Sequence, residues 1–466
     1  MSYRVRAAAG AYWTSQSMQG NSAVRRRLKH LLDTQTWSAT DLARLQAEKL
    51  CSVIRHAYET VPYYREVMHR RGLRPSDVTD VADLQKLPIL TRATVRDHPG
   101  RLMSAAAGPD LTRRGSSGST GQRVEICHDR DFDLWCRAHQ LRTYTWCGDW
   151  QLGEPFALVW GSPAYFESQT RHQRLDNRVS RRIEINAYRL DHDAIAAILD
   201  RLIRHQPSLI SGYSTSLYLI ARLAARRQIR LPGLRAVQPN AEPLTPAMRE
   251  AMVGGFGCPV FDKYGSRETN IVAHEAPDHD GMLIQSEHTI VEVVDENDRP
   301  VPSGQPGRLL LTQLNNRAMP LIRYETTDLA TLLEPHPAGF GFPRMSPVMG
   351  RMQDVLCTPH GGLIHPQLFS NILRQFPLID WFQVVQDRLD HLLIRMVASS
   401  GLGDDDRAQI TRLIAELTGY PFAIDYERLA DMPMSPTGKY RICVSDLPAN
   451  AVDPTVSALN ALRGTS

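Results

Sequence analysis

Phe156-Ala157-Leu158-Val159-Trp160 is a strand candidate, and the elements on its carboxyl side decide the fold. An amphipathic helix is expected from Asp193 to His205, then a short strand at Leu209-Ile210 and a helix from Ser214 to Arg227. Ala236-Val237 and Val260-Phe261 supply two more strands around a helix over Thr245 to Gly254. Strand–helix alternation of this kind implies a largely parallel sheet with helices on both faces.

Upstream lies Gly115-Ser116-Ser117-Gly118-Ser119-Thr120-Gly121, with Arg113 and Arg114 before it and a strand at Val124-Glu125-Ile126 after it. Three glycines free the backbone to turn, so that several N–H groups can meet one anion, and four hydroxyls add donors. The loop suits the phosphates of a nucleotide; a flexible linker is the competing reading. It is not a Walker loop, because Gln122 stands where a Gly-Lys-Ser/Thr ending would need lysine. A helix is expected from Asp131 to about Cys147, and its stripe of Phe132, Trp135, Tyr144 and Trp146 reads first as core. Residues 37–58 carry apolar positions at helical spacing until Val61-Pro62 stops the helix.

Downstream of Met282 the pattern changes. Ile290 to Val294, a turn at Asp295 to Asp298, and Gly307 to Thr312 read as an antiparallel β subdomain. Trp381 to Gln386 and Leu392 to Val397 form a hairpin, with a helix from Asp405 to Leu417 and a strand at Phe422 to Asp425. A boundary is placed near Asp354, dividing the chain into residues 1–353 and 354–466. The expected class is α/β. A large N-terminal domain has mixed, mostly parallel sheets with helices plus a β subdomain, and a small, mobile α+β domain completes the chain.

A chain of 466 residues exceeds one compact core, which agrees with that division. The net charge of +4 is too small for a dedicated nucleic-acid binder, and the run Arg25-Arg26-Arg27 is read as a solvated helix face. Seven cysteines without a CxxC pair fit free thiols in a reducing cytosol. No window approaches the ~18 apolar residues that span a bilayer, and no signal peptide is evident, so a cytoplasmic protein is expected. A homodimer is compatible with the chain.

Polar motifs recur at the edges of the expected strands. Asn240-Ala241-Glu242-Pro243 comes after one, and Asp262-Lys263-Tyr264-Gly265-Ser266-Arg267-Glu268 after another, with an aromatic for a base to stack on and a carboxylate for Mg²⁺. Arg323-Tyr324-Glu325-Thr326-Thr327-Asp328 ends the β region, and a lone aspartate there suits both hydroxyls of a ribose. Gly350-Arg351-Met352-Gln353-Asp354 marks the boundary, and Pro436-Thr437-Gly438-Lys439-Tyr440-Arg441 puts a lysine after a glycine in a polar turn. Any one of these alone is an ordinary turn; their order along one chain is more informative.

In that order they resemble the adenylate-forming enzymes, and within them the phenylacetate–coenzyme A ligases and the capsular-polysaccharide synthetase-like branch. The resemblance runs from about residue 40 to 445. It is carried by His56 to Arg65 (HAYETVPYYR), Leu87-Pro88-Ile89-Leu90-Thr91, the glycine loop, Tyr264 to Glu268, and Leu314 to Tyr324 (LNNRAMPLIRY). It implies that Ser116, Ser117, Gly118, Ser119, Thr120 and Gly121 hold the β- and γ-phosphates of ATP. Ala241, Glu242 and Pro243, with Tyr264 and Gly265, would frame the adenine, and Ser266 would also bind ATP. Glu268 would bind Mg²⁺, Asp328 the ribose with Arg351 near it, and Lys439 the carboxylate and α-phosphate. The small domain would rotate about Asp354 to admit the acceptor. The implied partners are a carboxylic acid, aromatic or aryl-acetic, and coenzyme A. Trp160, Tyr165 and Tyr213 are weak candidates for the acid pocket, and each reads first as core.

Several positions depart from that pattern. Gln122 replaces a lysine and precedes Arg123, while Glu325 and Thr327 stand where arginine and glycine are usual. The positions of a Cys/His metal cluster read Ala276, His279, His336 and Ala338, and two histidines alone make a poor tetrahedral site, so no zinc is expected. Two rival readings remain: transfer of the acyl group to an amine or other nucleophile, and a nucleotide-binding protein without catalysis.

Overall fold

The computed structural model describes residues 2–115, 124–160, 166, 169–187, 192–348, 356–360, 363–364, 366–373, 375–398, 401–432 and 441–447. Ser116 to Gly121, Gln122, Arg123, Tyr165, Arg351, Asp354 and Lys439, and the expected boundary itself, lie outside them.

The N-terminal strands are β1 (Leu111–Gly115), β2 (Glu125–Asp129), β3 (Phe156–Trp160), β4 (Arg182–Asn186), β5 (Leu209–Tyr213), β6 (Ala236–Asn240), β7 (Lys263–Ser266), β8 (Asn270–Glu275), β9 (Met282–Ile284), β10 (Thr289–Val294), β11 (Pro306–Gln313), β12 (Tyr324–Leu333) and β13 (Arg344–Met345). Eleven of them form one hydrogen-bonded sheet in the order β10-β11-β12-β13-β9-β8-β7-β6-β5-β3-β4. Strands β3 to β7 pair in parallel, as the alternation predicted. The antiparallel strands expected after Met282 are present, and β7, β8, β9 and β13 join them to the parallel half. Val260 makes only a single bridge to Val237, because Pro259 precedes it and the pairing resumes at Lys263.

Helices cover the parallel half. One face packs Val159, Ile210 and Val237 against the helices His192–His205, Ser214–Arg226 and Pro246–Phe256. The other packs Leu158, Leu209 and Phe261 against the helix Arg130–Thr145, where Leu134, Leu141 and Tyr144 are core. Gly212 is required where β5 crosses β3, since a Cβ there would lie 2.4 Å from the Val159 carbonyl oxygen. The helix predicted over 37–58 spans Ala39–Thr60, with the Ser38 hydroxyl accepting from Asp41 N. Pro62 does stop it, and also opens the helix Pro62–Arg70, since proline at the first helical position forfeits no hydrogen bond. The Arg25–Arg27 run lies on the helix Ala23–Thr34, with Arg25 and Arg26 exposed and Arg27 paired with Asp131.

Residues from Leu356 onward build a core of their own around Phe369, Ile372, Ile394 and Ile410. Here β14 (Leu356–Cys357) pairs with β15 (Leu363–Ile364), and β16 (Ile379–Arg388), β17 (His391–Ala398), β18 (Ala423–Arg428) and β19 (Cys443–Ser445) form a sheet in the order β18-β17-β16-β19. The expected hairpin is β16–β17, and the expected helix spans Asp404–Thr418. Asp380 Oδ1 lies 3.3 Å from Arg226 and 3.7 Å from Arg222, and Trp381 packs on the core of the parallel half, so the two parts touch through β16. All seven cysteines are free thiols, and among the described residues no helix is long and apolar enough to cross a membrane.

Candidate active site

β7 meets β12 through Tyr264 and Asp328, and its first residue, Lys263, lies opposite Asn240 at the carboxyl end of β6. Gly115 and Glu125 are opposite one another in the β1–β2 ladder, so both ends of the segment 116–123 are held side by side. Arg267 donates to the Gly115 carbonyl at 3.3 Å and ties that rung to the turn after β7.

Beyond β6, Ala241 has φ of +66°, a left-handed conformation that costs a non-glycine residue on the order of 1 kcal/mol or more. The turn is stitched to the start of the helix Ser214–Arg226. Glu242 Oε2 accepts from Thr215 N at 2.9 Å, and Ser214 Oγ donates to the Glu242 carbonyl at 2.9 Å. Glu242 therefore works as a helix cap, a use that the sequence reading missed. Gly265 is required by the β7–β8 turn, where a Cβ would meet the Asn270 carbonyl oxygen at 2.3 Å. Ser266 Oγ accepts from Thr269 N at 3.1 Å and closes that turn.

Tyr264 and Asp328 meet: the tyrosine hydroxyl donates to Asp328 Oδ2 at 2.6 Å. Two residues 64 positions apart, separately assigned by resemblance to base and ribose, thus share one edge. Glu268 is buried, and Arg92 Nη1 donates to its Oε1 at 2.9 Å. Burial pushes the Glu268 carboxyl up, but the Arg92 charge and its hydrogen bond hold it below the usual range. Its backbone carbonyl accepts from Gln313 Nε2 at 2.8 Å and contacts His128 Nε2 at 2.9 Å. A carboxylate oxygen is the right kind of donor for Mg²⁺, which takes one or two carboxylates and completes its shell with phosphates and water. Glu268, held by Arg92 and also bonded by the Ser266 hydroxyl, has the donor chemistry for that ion. Trp160 and Tyr213, at the ends of β3 and β5, bring their rings together with centroids 4.3 Å apart and planes inclined at 50°.

Arg92, His128 and Gln313 escaped the sequence reading. Arg92 directly adjoins the stretch Leu87–Thr91, and the structure shows what that stretch does. Leu90 N donates to the Arg323 carbonyl at 2.9 Å and Glu325 N to the Leu90 carbonyl at 3.0 Å, while Thr91 caps the helix carrying Arg92. The stretch His56–Arg65 is scaffolding too: Tyr64 donates to the Pro320 carbonyl at 2.9 Å and accepts from Ile322 N at 3.0 Å.

Glu325 is not a loose charge, because Arg308 Nη1 donates to it at 2.6 Å. Of the four positions set against a Cys/His cluster, His336 contacts Asp278 Oδ1 through Nε2 at 3.1 Å and its Nδ1 accepts from Ala338 N. His279 stacks on Phe261, and Ala276 is buried among Leu283 and Phe342. Among the described residues no three His, Cys, Asp or Glu side chains converge. Elemental analysis of the purified protein is expected to find far less than one zinc per chain; about one, lost in His279→Ala or His336→Ala, would refute this.

Residues 185–316 match the family described as AMP-binding enzyme, and residues 356–446 match the CapK C-terminal domain. The chain is 29% identical to phenylacetate–coenzyme A ligase of Escherichia coli (strain K12) over 77% of its own length and 82% of that protein's. It is 28% identical to the phenylacetate–coenzyme A ligase of Aromatoleum evansii, over 76% and 80%. The structure of 2-hydroxyisobutyryl-CoA ligase with 2-HIB-AMP in the postadenylation state aligns with a TM-score of 0.74 at 20% identity, covering 92% of this chain and 94% of that one. At that identity the likeness is one of fold.

Proposed function

We propose that this chain, an adenylate-forming protein of phenylacetate–coenzyme A ligase-like and CapK-like type, joins a carboxylic acid to coenzyme A at the expense of ATP. An acid carboxylate oxygen attacks the α-phosphorus, forming the acyl-adenylate as pyrophosphate leaves. The coenzyme A thiolate then attacks the acyl carbonyl and AMP leaves. The observation that carries the assignment is the 2.6 Å contact of Tyr264 with Asp328, beside Glu268 and Arg92.

In this reading Ser116 to Gly121 receive the β- and γ-phosphates, and Ala241 to Pro243 with Tyr264 and Gly265 frame the adenine, Ser266 also binding ATP. Asp328 accepts from the ribose hydroxyls with Arg351 nearby, and Lys439 meets the charge developing between carboxylate and α-phosphate. Mg²⁺, held by Glu268, would offset phosphate charge. The small domain turns about Asp354 between the two half-reactions. The acid is aromatic or aryl-acetic, with Trp160, Tyr165 and Tyr213 toward its ring, and the protein works in the cytoplasm. The test is acid-dependent pyrophosphate release over aryl, aryl-acetic and short aliphatic acids, with and without coenzyme A. Release with no acid would end this reading; discharge of the adenylate by an amine but not by coenzyme A would favour an amide-forming enzyme. The motive for a silent nucleotide binder is weakened, since Glu325 is neutralised by Arg308.

Asp328→Ala should weaken ATP binding at least tenfold, because hydrogen bonds to a charged acceptor contribute roughly 1.5–3 kcal/mol each. Calorimetry finding an unchanged nucleotide affinity would reduce Asp328 to a partner of Tyr264.

A further inference from the structure

The carboxyl edge of the parallel sheet is more polar than an aryl ring requires. β4 and β5 flank β3 on opposite sides, so the winding reverses there, and open α/β sheets take their ligands outside the strand ends at such a switch. In the ladder at those ends Tyr213 lies opposite Asn240, and Asn240 opposite Lys263. Ser211 Oγ donates to Gln238 Oε1, and Asn240 Nδ2 donates to Ser211 Oγ, each at 3.1 Å. This face looks toward the helix Arg130–Thr145: Gln238 Nε2 reaches Thr143, and Lys263 Nζ donates to Gln140 Oε1 at 3.2 Å.

Two groups here have donor capacity to spare. Gln140 Nε2 is buried without a hydrogen-bond partner, and among the described residues no carboxylate forms an ion pair with the Lys263 amine. Burial pushes that amine down to about 8, with the Arg182 charge adding to the shift and Cys147 and Asp262 opposing it. A buried donor without an acceptor, as Gln140 Nε2 is, costs the protein free energy, and a ligand that brings an acceptor removes the cost. An acid with a purely hydrocarbon body brings none.

Resting on the ligase reading above, we propose that the acid this chain activates carries a second carboxylate, received by Lys263 and Gln140, with Trp160 and Tyr213 against its carbon body. The two carboxylates then have separate tasks: one is adenylated, and the other sets which acid is accepted. Lys263 is in this view a specificity-determining residue that takes no part in bond making.

The experiment compares kcat/KM for pyrophosphate release with phenylacetate against its three ring-carboxylated isomers, and with hexanoate against adipate. Parent protein, Lys263→Met, Lys263→Arg and Gln140→Leu are assayed side by side. At least one dicarboxylic acid is expected to exceed its monocarboxylic partner by about 10- to 100-fold, the value of a charge-assisted hydrogen bond. Lys263→Met should erase that ratio while leaving the monocarboxylic acid within about threefold, and Lys263→Arg should restore part of it. A ratio within one preparation does not depend on the fraction of folded protein. A parent that prefers every monocarboxylic acid, or a Lys263→Met variant that lowers both acids equally, overturns the inference and leaves the ligase reading standing. Silence with every acid overturns the ligase reading, and this inference with it.

Discussion

Lys439→Ala is expected to reduce adenylate formation by on the order of 10²–10³-fold, the cost of losing one donor aimed at transition-state charge. ATP affinity should change little, because every nucleotide contact proposed above except that of Lys439 itself lies in the larger domain, through which the open form binds ATP. Chemically supplied acyl-adenylate should still be converted to the thioester, since that step uses the other orientation of the small domain. Single-turnover measurement of each half-reaction separates the outcomes. A variant that forms adenylate at the parent rate, or fails equally in both halves, would remove Lys439 and domain alternation from the mechanism.

Glu287→Ala is expected to destabilise the fold by roughly 3–5 kcal/mol, as when one partner of a buried ion pair is removed. Arg142 and Glu287 are both fully buried, with Arg142 Nη2 donating to Glu287 Oε2 at 2.9 Å and Nη1 to the Leu31 carbonyl at 3.1 Å. Thr34 Oγ1 adds a bond to the same carboxylate at 2.6 Å. Burial pushes the Glu287 carboxyl up, but the Arg142 charge and hydrogen bond hold it below the usual carboxylate range. Removing the carboxylate leaves a guanidinium without charge compensation between the helices Ala23–Thr34 and Arg130–Thr145. Replacing both partners, as Arg142→Met with Glu287→Leu, should cost far less than the single change. Urea unfolding reads both; a single-variant loss below about 1 kcal/mol would mean that water enters the site.

The parts of the fold legible in the sequence are those in which local pattern and final environment agree. Phe156–Trp160 and the helices after it bury apolar residues on the faces that their spacing implies. β4 and β12 were harder: Arg182-Ile183-Glu184 is mostly charged, and Glu325 to Asp328 is a polar run within a ten-residue strand. Their strand state comes from neighbours on either side, and propensity does not report neighbours. At the site, motif order brought Tyr264, Glu268 and Asp328 forward. Arg92 stayed hidden because its meeting with Glu268 spans 176 positions and leaves no periodic trace. Gln140 and Lys263 stayed hidden for the same reason, since their contact spans 123.

The seam between the first hundred residues and β12 has a consequence for synthesis on the ribosome. Tyr64 waits for Pro320, 256 positions later, before its hydroxyl and the apolar surface around it are covered. At about 5–20 residues per second the delay is roughly 13–50 s, long against the collapse of a chain this size. Through that interval Leu50, Val53, Ile54 and Met68 have no Leu321 or Tyr324 to pack against. The nascent amino-terminal segment therefore keeps apolar surface exposed, of the kind that holding chaperones cover, and expression yield should respond to translation speed between residues 70 and 320 more than to any change at the nucleotide site.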